Sequence, residues 1–139
     1  MIRLVLVDDQ LGVRQGLRML LTLEPDITVV GEASTGREAV TMVQQLVPDV
    51  VLMDVEMLET DGIAAAAAIQ ISTPQSAVVM LSIHDDGATR VRAQAAGAVA
   101  FVNKNGVIEA LVASIRQAAG QRKTPTDSHL RLQDGRSAT

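Results

Sequence analysis

The chain has 139 residues, 47% of them hydrophobic, which suits one domain with its own core. It holds no cysteine, which excludes disulfides and thiolate metal sites, and one aromatic residue, Phe101, which argues against base-stacking nucleic-acid modules and aromatic-walled flavin pockets. The formal charge of −4 is uneven: residues 1–120 carry 8 Lys/Arg against 14 Asp/Glu and residues 121–139 carry 4 against 2, so the acidic body disfavours a broad DNA-binding face.

Residues 3–7 read as a strand cut off by Asp8-Asp9. The apolar run before those acids is too short for a signal peptide, and no stretch approaches transmembrane length, so a soluble, unexported, cytoplasmic protein is expected. A helix is predicted over 11–24, with Val13, Leu17, Leu20 and Leu21 on one face and Pro25 beyond its end. Residues 27–31 read as a second strand. Thr35-Gly36-Arg37-Glu38 then has capping-box spacing, in which each side chain can serve the other's free backbone N–H, and Val40, Val43 and Val47 carry the second helix to Pro48. The third strand, 50–53, is wholly apolar, as expected where both sheet faces are covered, and ends at Asp54.

A loop leads to Asp61-Gly62, and a helix is predicted from Ile63 through the alanine run 64–68 to about Ile71. Residues 77–81 form a fourth strand ending at Ser82; 86–96 a helix closed by Gly97; 99–102 a fifth strand ending at Asn103-Lys104. A last helix is expected over 106–119, with Ile108, Leu111, Val112 and Ile115 inward and Gly120 as its stop. Residues 121–139 mix small, polar and charged types without periodicity and read as a flexible tail or truncated linker after a domain of residues 1–120. Nineteen residues are too few for a helix-turn-helix domain, so DNA binding is not expected of this chain.

Alternating strands and helices imply an α/β fold: a doubly wound, five-stranded parallel sheet with right-handed crossovers and helices on both faces. Ligands of such sheets sit outside the carboxyl ends of the strands. The strand ends here are Asp8-Asp9, Asp54, Ser82 and Lys104. Each taken singly has a plain alternative: a solvated turn or helix cap, a loop start, a capping hydroxyl, a solvated charge. Together they place three carboxylates, a hydroxyl and an ammonium on one rim. Carboxylates ~4 Å apart repel by about 4 kcal/mol per pair at an effective dielectric near 20. They therefore invite a proton or a divalent cation, and an all-oxygen ligand set selects Mg2+ or Mn2+. Carboxylates also serve as nucleophiles toward phosphorus, with Lys104 and Ser82 suited to stabilise phosphoryl oxygens.

The residues Val7-Asp8-Asp9, Pro48 to Val55, Met57, Asp61-Gly62-Ile63, Met80-Leu81-Ser82, Ala96-Gly97-Ala98 and Phe101-Val102-Asn103-Lys104 resemble, in order and spacing, the receiver domains of two-component response regulators. The segments 12–17 and 30–33 are similar to the LuxR-type (NarL-like) subgroup. The resemblance implies the flavodoxin-like strand order 2-1-3-4-5 and phosphorylation of Asp54 by a sensor histidine kinase. It implies a magnesium site at Asp9, Asp54 and the Glu56 backbone carbonyl, with Asp8 acting through water. It also implies a switch pair, Ser82 and Phe101, and a dimerisation or output face at helix 4, strand 5 and helix 5. For Phe101, simple core packing is an equal alternative. Glu56 and His84 are candidates for tuning water's access to the phosphate, or are solvated rim residues; His129 has no spaced partner and is assigned no ligand role. The chain departs from the family pattern at Leu58, Ala64 and Asn105, the last a candidate cap for the final helix.

Three other classes compete. A pseudo-receiver would keep the fold as an interaction module without phosphorylation. A flavodoxin-like cofactor protein is opposed by the missing aromatics and acidic rim. An aspartyl phosphatase would want a second aspartate where Glu56 stands.

Overall fold

A computed structural model describes residues 1–57, 61–84 and 86–121. Ten elements alternate along the chain: β1 (Ile2–Val7), α1 (Leu11–Thr22), β2 (Ile27–Ala33), α2 (Gly36–Leu46), β3 (Val50–Asp54), α3 (Gly62–Ser72), β4 (Ala77–Ser82), α4 (Gly87–Ala95), β5 (Ala100–Asn103) and α5 (Ile108–Gln121). The strands pair in parallel in the order β2-β1-β3-β4-β5, the flavodoxin-like arrangement.

Side-chain alternation divides the core in two. Val5, Val7, Val51, Met53, Val78 and Met80 face one layer, which holds Ala39 and Val43 of α2, Ile63, Ala66 and Ile69 of α3, and Ala93 of α4. Leu4, Leu6, Val50, Leu52, Val79 and Leu81 face the other, with Leu21 of α1 and Leu111, Val112 and Ile115 of α5. All of β3 is buried, as its unbroken apolar sequence predicts.

Several boundaries differ from the sequence reading, each for a local reason. β2 runs on to Ala33, because after a register shift at Leu4/Val5 its second half still pairs with β1. In the capping box Thr35 Oγ1 accepts from Glu38 N at 3.1 Å, while the Glu38 carboxylate accepts mainly from Ser34 N and Ser34 Oγ, with the Thr35 N–H a weaker partner. Leu20 lies at the edge of its helix face, 44% exposed. Gly120 does not stop α5, which includes it and Gln121, and α5 starts too late for Asn105 to cap it. Asn105 N instead donates to Asn103 Oδ1. Leu58, His129 and the expected tail beyond Gln121 lie outside the described residues.

Val47 is not helical. It stands at the C-cap of α2 with φ 43°, left-handed backbone that a β-branched residue adopts at a cost. The cap N–H still bonds Val43 O, and the Arg3 guanidinium donates to the carbonyls of Leu46 and Val47. Val47 is 42% exposed, so its replacement sacrifices little packing. Val47→Asn is expected to stabilise the fold by about 1 kcal/mol in urea unfolding; a destabilised variant would show that its side-chain packing outweighs the backbone strain.

Candidate functional site

The same alternation sorts the polar residues at the strand ends. Asp54 follows Val50 and Leu52, Asp8 follows Leu4 and Leu6, and Lys104 follows Ala100 and Val102, all on the α1/α5 side. Ser82 falls in step with Val78 and Met80, and Phe101 packs on that same α2–α4 side.

One ligand oxygen each from Asp8, Asp9 and Asp54 lies within 4.8 Å of the others. Asp8 and Asp54 are each 1% exposed, and Asp9 is half-buried. Lys104 Nζ stands between two of them, 2.7 Å from Asp8 Oδ2 and 3.1 Å from Asp54 Oδ2. The remaining oxygens are held locally: Gln10 N donates to Asp8 Oδ1 at 2.9 Å and Glu56 N to Asp54 Oδ1 at 3.2 Å. Backbone bonds fix the supports, from Asp8 N to Ala33 O (3.1 Å), Val55 N to Leu81 O (2.8 Å) and Lys104 N to Ser82 O (2.9 Å). The extra length of β2 thus positions an acid of the cluster.

Electrostatics follow from this packing. Burial, and then the charge of Asp8, push the Asp54 carboxyl up to about 6, although Lys104 and the Glu56 N–H pull it down. Burial works to lower the Lys104 ammonium, but the hydrogen bond to Asp8 and the charge of Asp54 outweigh it and hold it above its ordinary value. Among the described residues the cluster sets three carboxylates against the one ammonium of Lys104, a surplus of negative charge. That surplus, the all-oxygen donors and their spacing fit a hard divalent cation such as Mg2+. Because a proton on Asp54 competes with the metal, Mg2+ affinity is expected to strengthen as pH rises through the window centred on about 6 and to level off only well above it. Calorimetric titration checks this; an affinity flat across that window would count against Asp54 as a ligand.

Two supporting residues had not been singled out from sequence. Arg14 of α1 donates from Nη1 to the Asp8 carbonyl at 2.6 Å, while its Nε bonds Glu32 Oε1 at 3.2 Å. Glu32 is also paired with Arg18. An arginine in an amphipathic helix gives no sign that it will fold back onto a strand end. Gly62, within the Asp61-Gly62-Ile63 motif, begins α3 directly against the end of β3. A Cβ there would lie 2.1 Å from the Asp54 carbonyl oxygen, so any side chain would displace Asp54 itself. Asp61 caps this helix by accepting from Ile63 N at 2.9 Å.

Ser82 is fully buried. Its hydroxyl lies 2.6 Å from Glu56 Oε2, and Ile83 N donates to Glu56 Oε1 at 3.2 Å. His84 enters through its backbone, whose N–H donates to Ser82 Oγ at 2.9 Å and whose carbonyl is a second acceptor for the Ser82 hydroxyl at 3.0 Å. Phe101 is partly exposed, with the Arg90 guanidinium 4.8 Å above its ring centroid. No described helix is long and apolar enough to cross a membrane.

The family model described as "Response regulator receiver domain" matches residues 4–116. The transcriptional regulatory protein YxjL of Bacillus subtilis is 39% identical over 118 residues, covering 85% of this chain and 54% of YxjL. The chain spans about half the length of the curated relatives it matches. Among solved structures, the signal receiver domain of NarL from Mycobacterium tuberculosis superposes with TM-score 0.82 at 32% identity, covering 87% of this chain and 98% of that one. A two-component response regulator of the LuxR family from an Aurantimonas species gives 0.84 at 30%, covering 93% and 94%.

Proposed function

Because the chain belongs to the response regulator receiver domain family, we propose that it accepts a phosphoryl group on Asp54 from a sensor histidine kinase. The observation that carries this reading is a buried carboxylate at the end of β3 with an ammonium 3.1 Å away and two more acids beside it. An Asp54 oxygen attacks phosphorus as the P–N bond to the donor histidine breaks, the bonding pair leaving with the imidazole nitrogen, and an acyl phosphate results. Lys104 neutralises a phosphoryl oxygen, and Ser82 is the hydroxyl that donates to another. Mg2+ or Mn2+, held by Asp8, Asp9, Asp54 and the Glu56 backbone carbonyl, would supply further positive charge to the phosphoryl oxygens. The protein would catalyse its own phosphorylation and dephosphorylation at this residue, without turnover as a conventional enzyme.

The reading extends to partners. Leu11 and Val107, 56% and 66% exposed, stand beside the cleft as apolar surface for the kinase. Phosphorylation would bias Ser82 and Phe101, which share one face of the sheet, toward a second arrangement felt by α4, β5 and α5. On that face Val91 and Val99 are 65% and 42% exposed, which supports a homodimer contact there. A cytoplasmic location follows from the kinase partner. The relatives named as transcriptional regulators make control of transcription the proposed output of the protein, with no nucleic-acid contact assigned to these residues.

Incubation with acetyl phosphate and Mg2+ is expected to add one phosphoryl mass to the intact protein, and none to Asp54→Asn. An unchanged wild-type mass would favour the pseudo-receiver, a fold kept for protein interaction alone.

A further inference from the structure

Glu56 spans the ends of two strands. Its backbone N–H bonds Asp54 Oδ1, while its carboxylate takes the Ser82 hydroxyl on one oxygen and the Ile83 N–H on the other. The two donors are neighbours at the end of β4, and β4 lies beside β3 with Leu81 opposite Asp54. An anion growing on Asp54 needs donors from that edge, and the buried Ser82 hydroxyl has a single proton to give. In the unphosphorylated protein that proton faces two acceptors, Glu56 Oε2 at 2.6 Å and the His84 carbonyl at 3.0 Å, and the shorter contact is to the carboxylate. A bidentate, charge-assisted pair of this kind is stronger than a neutral hydrogen bond.

We propose that Glu56 is a built-in competitor for the phosphoryl group: its carboxylate occupies the Ser82 and Ile83 donors and must release them before they can serve a phosphoryl group on Asp54. Glu56 is a positioning residue here, acting through Ser82 and Ile83. The proposal rests on Asp54 being the acceptor and deepens that reading by assigning a restraint on its loading. Glu56 is partly exposed in a loop outside both core clusters, so shortening it leaves the fold's packing intact.

A double-mutant cycle tests this. Rates of phosphoryl gain from acetyl phosphate are measured at saturating Mg2+ for wild type, Glu56→Ala, Ser82→Ala and the double variant, alongside amide exchange at Ile83 in the unphosphorylated proteins. Freeing the donors is expected to speed loading roughly tenfold in the Ser82 background and less than about twofold in the Ser82→Ala background, with faster Ile83 exchange in Glu56→Ala. Glu56→Gln, which keeps one acceptor for Ser82 but meets Ile83 N–H less well, should fall between. An equal acceleration in both backgrounds would mean that Glu56 acts only as a nearby negative charge, and no acceleration would mean that it restrains nothing; either overturns the proposal. If wild type and variants alike take up no phosphoryl group, the acceptor reading fails instead, while Ile83 exchange still reports on the clamp itself.

Discussion

Asp54→Asn is expected to raise the stability of the metal-free protein near neutral pH by about 2 kcal/mol while abolishing phosphoryl uptake. The sign comes from the direction of the carboxyl's displacement. Folding raises it from an ordinary value of 3.8 to about 6, because the charged form is buried next to Asp8. Between those values the folded protein binds more protons than the unfolded chain, so stability falls as pH rises through the window. Below about 3.8 the penalty is absent, and above about 6 it is complete. Two pK units convert to ~3 kcal/mol, and relaxation at the cleft mouth lowers the figure that unfolding experiments return. The asparagine variant lacks the ionisation, so its stability should lose this slope between about pH 4 and 6, leaving that of the other groups. Saturating Mg2+ should stabilise wild type more than the variant and narrow the gap. An Asp54→Asn protein less stable than wild type at neutral pH without metal would show that Lys104 and the Glu56 N–H already compensate the buried charge.

Lys104→Met should move two properties in opposite directions. Lys104 Nζ is the cation set between Asp8 and Asp54, and methionine keeps much of its length without the charge. Phosphoryl uptake is expected to fall on the order of a hundredfold, as for loss of one preorganised stabilising group. Mg2+ should bind more tightly, because the ammonium no longer opposes a second cation. Without metal the variant should lose about 3 kcal/mol at neutral pH, since two buried carboxylates are left without their counter-charge. Acidification through the Asp54 range should recover part of that loss, and Mg2+ most of it. Weaker Mg2+ binding together with slower uptake would show that Lys104 mainly holds the acids in place rather than balancing their charge.

The element pattern was legible because periodicity is a local property. β3 announces itself as a strand buried on both faces, and the polar residues closing β1, β3, β4 and β5 are visible in the sequence. Less local features escaped. β2 continues past Gly31 only because β1 offers partners across a register shift, which no single segment encodes. Val47 leaves its helix because Pro48 follows and the Arg3 guanidinium ties down the helix's last carbonyls. Arg14, Gly62 and the engagement of Ser82 by Glu56 depend on elements that meet only after folding.

The amino-acid order alone determined which chemical groups stand at the carboxyl edge of the sheet and, through its resemblance to receivers, the order of the strands. Tertiary structure decided how those groups are paired: Lys104 facing two acids, Asp54 burdened by Asp8, and the Ser82 hydroxyl 2.6 Å from the Glu56 carboxylate. The reason is physical. Strand patterning depends on neighbours a few residues away, whereas charge balance and hydrogen-bond competition depend on distances between residues dozens of positions apart.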